Sequence, residues 1–166
     1  MDIWYVTLYE PLPIGGVGIR PMRSGLLADA LVNGGHRIEL WLPGFEHVHH
    51  VHFRKESVAE KMRDRYSVQY IKGCGYSNDT SFRRFIHNRQ IATEFSRLAR
   101  DRSEMPNLII TQVPSLELAE AVVDFAKQKA IPLVVDICDL WPDVYTRLFP
   151  SYFHFLYNIM FFREIR

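Results

Sequence analysis

The chain of 166 residues carries 20 Lys and Arg against 19 Asp and Glu, is 48% apolar, and contains 11 Phe, 8 Tyr and 3 Trp. That content suits one globular domain, since a chain of this size buries about 70% of the surface its unfolded form exposes. It excludes intrinsic disorder, and a net charge of +1 removes any global electrostatic case for a nucleic-acid partner.

Ile3 to Tyr9 is β-branched and aromatic at nearly every position, which predicts a central strand buried on both faces. The N-terminus lacks the basic region of a signal peptide, and Glu10 and Pro11 end its apolar stretch. Pro11 to Gly18 reads as a loop. A helix is expected from near Pro21 to Gly34 and Gly35, with Met22, Leu26, Leu27, Ala30 and Leu31 on its inner face. His36 to Leu42 is the next strand, which completes a βαβ unit.

The middle is less regular. Val48 to Phe53 reads as a short strand, Ser57 to Arg65 as a short helix and Val68 to Ile71 as a strand, before the turn-rich run Gly73 to Asp79. Ser81 to about Arg102 is the longest predicted helix, with Phe82, Phe85, Ile86, Ala92, Phe95 and Leu98 at helical spacing. Leu108 to Thr111 is a buried strand. Pro114 and Ser115 open a helix with Leu116, Ala119, Val122, Val123 and Ala126 inward, and Pro132 to Ile137 is a further strand. Strands alternating with helices imply an α/β, Rossmann-like, doubly wound parallel sheet over 1–150.

Ser151 to Arg166 reads as a terminal helix without a glycine stop or polar tail, which suggests a piece of something longer or one subunit of a split protein. Phe153 to Phe162 is about half of the ~20 residues that a membrane-spanning helix needs. Cys74 and Cys138 stand far apart without a CxxC pattern, so neither a disulfide framework nor a zinc site is indicated and a reducing compartment is the natural reading.

In an open parallel sheet, ligands bind outside the carboxyl ends of the strands, where the first glycine loop lies. Gly15, Gly16 and Gly18 let backbone N–H groups approach an anion, and the helix beginning near Pro21 offers a partly positive end to a phosphate. The loop matches neither GxGxxG nor a Walker loop, so its spacing leaves a phosphate-binding role and a plain tight turn both open. Arg20 and Arg23 flank the helix start with side chains suited to two-pronged phosphate or carboxylate recognition.

His47, His49, His50 and His52 would fall on alternate faces of a strand. That supports polar contacts to a sugar-like substrate or a partly exposed strand end better than a metal site. Six arginines between Arg83 and Arg102 face Glu94 and Asp101, a local excess of four positive charges beside Phe82, Phe85 and Phe95. This admits either peripheral contact with anionic lipid or a solvated helix face. Asp136, Asp139 and Asp143 gather near the carboxyl end of the last strand, placed to bind ligand hydroxyls or to cap a helix. No GxSxG, HExxH or Cys/His nucleophile spacing is present.

Taken together, several segments resemble the N-terminal domain of GT-B glycosyltransferases of family 4. They are the opening strand, the Gly15-Gly16 loop, Arg20-Pro21-Met22-Arg23, Gly34-Gly35-His36-Arg37-Ile38-Glu39-Leu40, and Asp136-Ile137-Cys138-Asp139-Leu140-Trp141-Pro142. Tyr76-Ser77-Asn78 ahead of the long helix resembles a branch that builds bacterial surface polysaccharides. In that family two Rossmann-like domains face each other across a cleft, and the C-terminal one holds most of the nucleotide-sugar site.

The resemblance implies that Gly15, Gly16 and Gly18 touch the donor diphosphate, that Arg20, His49 and His50 lie on the acceptor side, and that Asp139 sits near the cleft. It implies no metal and no cofactor beyond the nucleotide-sugar substrate, retention of configuration, and a cytoplasmic protein, peripheral at most on the inner membrane face. It assigns no catalytic residue. Cys138 stands where relatives commonly carry Arg, and the paired-glutamate motif of the donor domain is missing from this sequence. The expectation is therefore the half-domain of a glycosyltransferase, inactive unless a partner chain supplies the second domain. The competing expectation is a non-enzymatic phosphate-binding or scaffold module, whose aromatic tail docks on a partner or makes a homodimer.

Overall fold

The computed structural model describes residues 1–11, 21–78, 81–113 and 115–138. In chain order these form strand β1 (Asp2–Val6), helix α1 (Arg23–Asn33), β2 (Arg37–Pro43), the short pair β3 (Phe45–Glu46) and β4 (Val51–His52), β5 (Val58–Arg63), β6 (Tyr66–Ile71), α2 (Phe82–Arg100), β7 (Leu108–Val113), α3 (Leu116–Lys129) and β8 (Leu133–Ile137). Six strands make one sheet in the order β5-β6-β2-β1-β7-β8, parallel throughout except for β5, which runs antiparallel to β6 at the edge. The chain starts at β1 in the interior of the sheet, winds outward through β2 to β6, then returns to lay β7 and β8 on the other side. This is the doubly wound, Rossmann-like α/β arrangement.

Because successive residues of a strand point to opposite faces, β1 feeds two cores. Ile3 and Tyr5 pack with Ile38, Leu40, Val68 and Tyr70 beneath Ala28 of α1. Trp4 and Val6 pack with Trp41 and Ile109 beneath Ile91 and Phe95 of α2 and Val122 and Phe125 of α3. The second core is aromatic at its centre. Trp41 lies 4.8 Å from Trp4 and 5.2 Å from Phe95, and Phe125 stacks on Trp4 at 5.9 Å. Offset and edge-to-face contacts of this kind each add about 0.5–1.5 kcal/mol to the area buried.

The structure turns two helices relative to the sequence expectation. In α1 the buried residues are Ser24, Gly25 and Ala28, while Met22, Leu26 and Leu27 are exposed. The cause is a close approach: a Cβ on Gly25 would lie 2.4 Å from Oε1 of Glu10 and 2.9 Å from Pro21, so the small-residue stripe faces inward. In α2 the buried residues are His87, Ile91, Ala92, Glu94, Phe95 and Ala99, and Phe82, Phe85 and Ile86 are exposed. Ile91 is the first α2 residue in the apolar core. Ahead of it His87 packs on Gly73 and Tyr76, a loop rather than the sheet.

Two further expectations are corrected. The segment read as a helix from Ser57 to Arg65 is strand β5, joined to β6 by a turn at Asp64 and Arg65, where Arg65 adopts φ 58°. Its Glu60, Lys61 and Arg63 place charge on an edge strand, a common guard against edge-to-edge association. The strand expected from Val48 to Phe53 is instead a turn at 47–50 leading into the two-residue β4. Gly44 makes this hairpin possible, because a Cβ there would lie 2.1 Å from the Arg54 carbonyl oxygen. Among the described residues no helix is long and apolar enough to cross a membrane. The terminal helix expected at 151–166 lies outside the described residues.

The reorientation of α2 is directly testable by urea unfolding. Phe95→Ala, which empties a fully buried position, is expected to cost about 3–5 kcal/mol. Phe82→Ala, at a position 76% exposed, is expected to change stability by less than about 0.5 kcal/mol. Equal losses at the two positions would contradict the observed face.

Candidate functional site

The chain leaves β1 toward α1 on one face of the sheet and leaves β7 toward α3 on the other. That change of face makes the carboxyl ends of these adjacent strands the topological switch point of the fold, the place where open α/β sheets bind ligands. The strand residues change character at the same place. β1 is apolar from Ile3 to Val6 and then continues into Thr7, while β7 and β8 end in Gln112 and Asp136 near their last positions.

These groups form one network on the α1 side of the sheet. Thr7 Oγ1 donates to Gln112 Oε1 at 2.6 Å, and Gln112 Nε2 donates to the Tyr5 hydroxyl at 3.0 Å and to Asp136 Oδ2 at 3.3 Å. Arg23, the first residue of α1, reaches across to Asp136 Oδ1 at 2.8 Å. Its other terminal nitrogen lies 3.8 Å from the Cys138 sulfur. Burial, followed by the neighbouring Asp136 charge, pushes the Tyr5 phenol up to about 12, so it stays protonated at neutral pH and accepts the Gln112 bond as a neutral hydroxyl.

Glu10 anchors the start of α1 beside this network. Its carboxylate is almost completely buried and accepts the Met22 backbone N–H at 2.7 Å and the Ser24 hydroxyl. Glu10 thereby fixes the start of α1 against the end of β1. Arg23, the next residue after Met22, is left exposed above Asp136. Charged acceptors at a helix start are favoured by the aligned peptide dipoles.

A second cluster stands beyond β2. His50 adopts φ 55°, which turns its ring toward Phe45 and Tyr76 at 6.3 and 5.4 Å. His52 and His87 lie 4.9 and 5.1 Å from Phe45. Gly75, at φ 65°, brings its backbone N–H to His87 Nδ1 at 3.1 Å, and a Cβ on it would sit 2.5 Å from His52 Nε2. Burial, and then the charge of His52, lowers the His87 pKa to about 4. His87 is therefore neutral with Nδ1 as acceptor.

His49 stands apart from this cluster, exposed, with Nδ1 2.9 Å from Glu46 Oε2. Burial alone would raise the Glu46 carboxyl. The backbone donors of His49 and Val48, together with the His49 ring, outweigh that and hold it below its ordinary value.

The sequence-predicted residues divide accordingly. Gly15, Gly16, Gly18, Arg20 and Asp139 lie outside the described residues. His49 and His50 are described. They do not alternate across a strand but occupy one turn, where His50 joins the aromatic cluster and His49 the Glu46 carboxylate. The network at the switch point adds Tyr5, Thr7, Glu10 and Gln112, which sequence reading did not single out. The available signal was a polar residue ending a strand that is otherwise apolar. Among the described residues no three His, Cys, Asp or Glu side chains converge as metal ligands would.

No protein-family model matches the chain, and neither does any curated protein. Among solved structures it is similar to the C-terminal domain of a hydrogenase from Pyrococcus furiosus, with 17% identity and a TM-score of 0.51 over 81% of this chain and 90% of that one. At that identity the likeness bears on the fold alone, and it agrees with the α/β architecture described above.

Two outcomes are expected. Glu10→Ala leaves the Met22 N–H and the Ser24 hydroxyl without their acceptor, and is expected to cost about 1–3 kcal/mol in urea unfolding. For His87, the unfolded chain takes up a proton below about pH 6.5 while the folded ring resists it until about pH 4. Stability is therefore fully present above that window and falls by up to about 3 kcal/mol as pH drops through it. His87→Gln should flatten this part of the stability profile, and an unchanged slope between the two pH values would contradict the assignment.

Proposed function

We propose that the chain is the acceptor-side, Rossmann-like domain of a nucleotide-sugar-dependent glycosyltransferase of the GT-B kind. In this reading it acts with retention of configuration and without a metal in bacterial polysaccharide or glycoconjugate synthesis, and a second domain completes it. The observation that supports this best is the pair Gln112 and Asp136 at the carboxyl ends of the adjacent strands β7 and β8, with Arg23 reaching Asp136 from the start of α1.

Glycosyl transfer breaks the bond between the anomeric carbon and a diphosphate oxygen and makes one to an acceptor hydroxyl. The domain holding the acceptor needs groups that grip hydroxyls and groups that tolerate negative charge nearby. Asp136 and Gln112 are hydrogen-bonding partners for sugar hydroxyls, and both are positioned by bonds to neighbouring side chains. Arg23 presents a planar fork suited to a phosphate or carboxylate.

In the same proposal Gly15, Gly16 and Gly18 meet the donor diphosphate, Arg20 and Asp139 line the cleft, and His49 and His50 contact the acceptor. The exposed His49 ring agrees with such a role. His50 has its ring on Tyr76 and acts by shaping the rim. A nucleotide-sugar substrate places the protein on the cytoplasmic side.

The test is chemical-shift mapping of the isotopically labelled chain with nucleotide sugars and with oligosaccharide and sugar-phosphate acceptors. Acceptor-type sugars are expected to perturb Thr7, Gln112, Asp136 and the start of α1. Arg23→Gln should weaken the best of them about tenfold or more, as expected for loss of a charged hydrogen bond. Nucleotide sugars are expected to bind no tighter than about millimolar, a weak affinity by any standard. Micromolar binding of a nucleotide sugar would place the donor site here and overturn the acceptor-side reading. Silence toward every sugar would overturn the glycosyltransferase reading itself.

A further inference from the structure

α2 runs past the carboxyl edge of the sheet, and its first two turns are clothed differently from the rest. Phe82, Phe85 and Ile86 are 76%, 46% and 41% exposed, and the two phenyl rings stack on each other at 6.0 Å. They line an open groove of about 660 Å³ whose cations are Lys55, Lys72 and Arg89. The Arg89 guanidinium stands 5.9 Å from the Phe85 ring centre. Large apolar side chains exposed together are uncommon on a soluble surface and mark a contact site.

The charges of α2 are also unevenly committed. Toward its carboxyl end, Arg97 is held by Glu94 and Asp101. Just beyond the helix, Arg102 is held by Glu39 and Gln69. The first turn contains no acidic residue and carries Arg83 and Arg84. Arg84 donates to the Tyr9 hydroxyl, and Arg83 donates to the Gly75 carbonyl, which does not offset the Arg83 charge. Cations at the positive end of a helix dipole are unfavourable by themselves and favour an anionic surface nearby. The acids at the groove are already engaged: Glu94 is bound by Arg97 and Ser57, and Glu56 lies 3.8 Å from Lys72.

We propose that the amino-terminal end of α2, through Phe82, Phe85 and Ile86 ringed by Lys55, Lys72 and Arg89, docks on the surface of an anionic lipid bilayer. The aromatic and aliphatic tips enter the boundary between headgroups and acyl chains, and the cations stay at the level of the lipid phosphates. Charge complementarity selects the occupant, because an apolar patch bordered by Lys55, Arg89 and the Glu56-paired Lys72, in a protein of net charge +1, matches a negative headgroup layer. The contact stays separate from the side-chain network at Arg23 and Asp136 and does not rest on the proposed activity. It shifts the arginine-rich contact expected over Arg83 to Arg102 to the start of that segment.

The experiment is flotation of the full chain with vesicles of phosphatidylcholine alone and of phosphatidylcholine with phosphatidylglycerol, at low and raised salt. Flotation is expected with the anionic vesicles only and should weaken as salt screens the charges. Phe82→Ser with Phe85→Ser, and separately Lys55→Glu with Arg89→Glu, should each lower the bound fraction about tenfold or more. Circular dichroism and urea unfolding should match the parent, since all four positions lie at the surface. No flotation with anionic vesicles overturns the proposal. Undiminished flotation of both double variants also overturns it, by placing the membrane contact elsewhere. A parent dimer in sedimentation that Phe82→Ser with Phe85→Ser dissolves would assign the patch to a second copy of this chain, against the proposal.

Discussion

The structure depends first on the requirement that β1 be covered on both faces. Ile3, Trp4, Tyr5 and Val6 are each at most 5% exposed, and no polar side chain interrupts them. Such a strand is stable only with apolar neighbours on either side and helices above and below. The interior position of β1, the split of the helices into α1 on one face and α2 with α3 on the other, and the two separate cores all follow from that requirement. Burial is not complete at the periphery, where edge strand β8 leaves Val134, Val135 and Ile137 partly exposed.

The same requirement decides where chemistry can be placed. Polar side chains are costly within the covered part of the sheet unless they find partners, so they accumulate where coverage ends. Thr7, Gln112 and Asp136 sit at the carboxyl ends of neighbouring strands and satisfy one another, with Tyr5 beneath and Arg23 above. Glu10 adds a second constraint by gripping Met22 and Ser24. One buried carboxylate thus sets both the start of α1 and the placement of Arg23 over Asp136. Gly25 belongs to the same arrangement, because it leaves room for that carboxylate.

Away from this network, the connections at the carboxyl edge do two things. The loop at Gly73 to Tyr76 receives His87 and builds an aromatic cluster with Phe45, His50 and His52. Because His87 lies on this loop and not on the sheet, the helix turns ahead of Ile91 leave the apolar core and Phe82, Phe85 and Ile86 face outward. The buried histidine and the exposed aromatic patch are two consequences of one displacement. Each uses helical periodicity, but with a different surface as its partner.

Sequence alone determined the alternation of strands and helices and the parallel sheet, because an apolar run buried on both faces and glycine stops are local signals. It also pointed to the carboxyl ends of the strands, where open α/β sheets bind their ligands, and it noticed Arg23 and Asp136 without joining them. Only tertiary structure decided which face of α1 and α2 is buried. Apolar spacing says that a helix has a face, but the close approach of Glu10 to Gly25 and of His87 to Gly73 chooses it. It likewise decided that Val58–Arg63 is a strand, since pairing with Tyr66–Ile71 outweighs weak local propensity. The Arg23 and Asp136 contact spans more than a hundred positions of chain, and Gln112 joins it from the neighbouring strand. Such a site is set by the strand order, which no local pattern encodes.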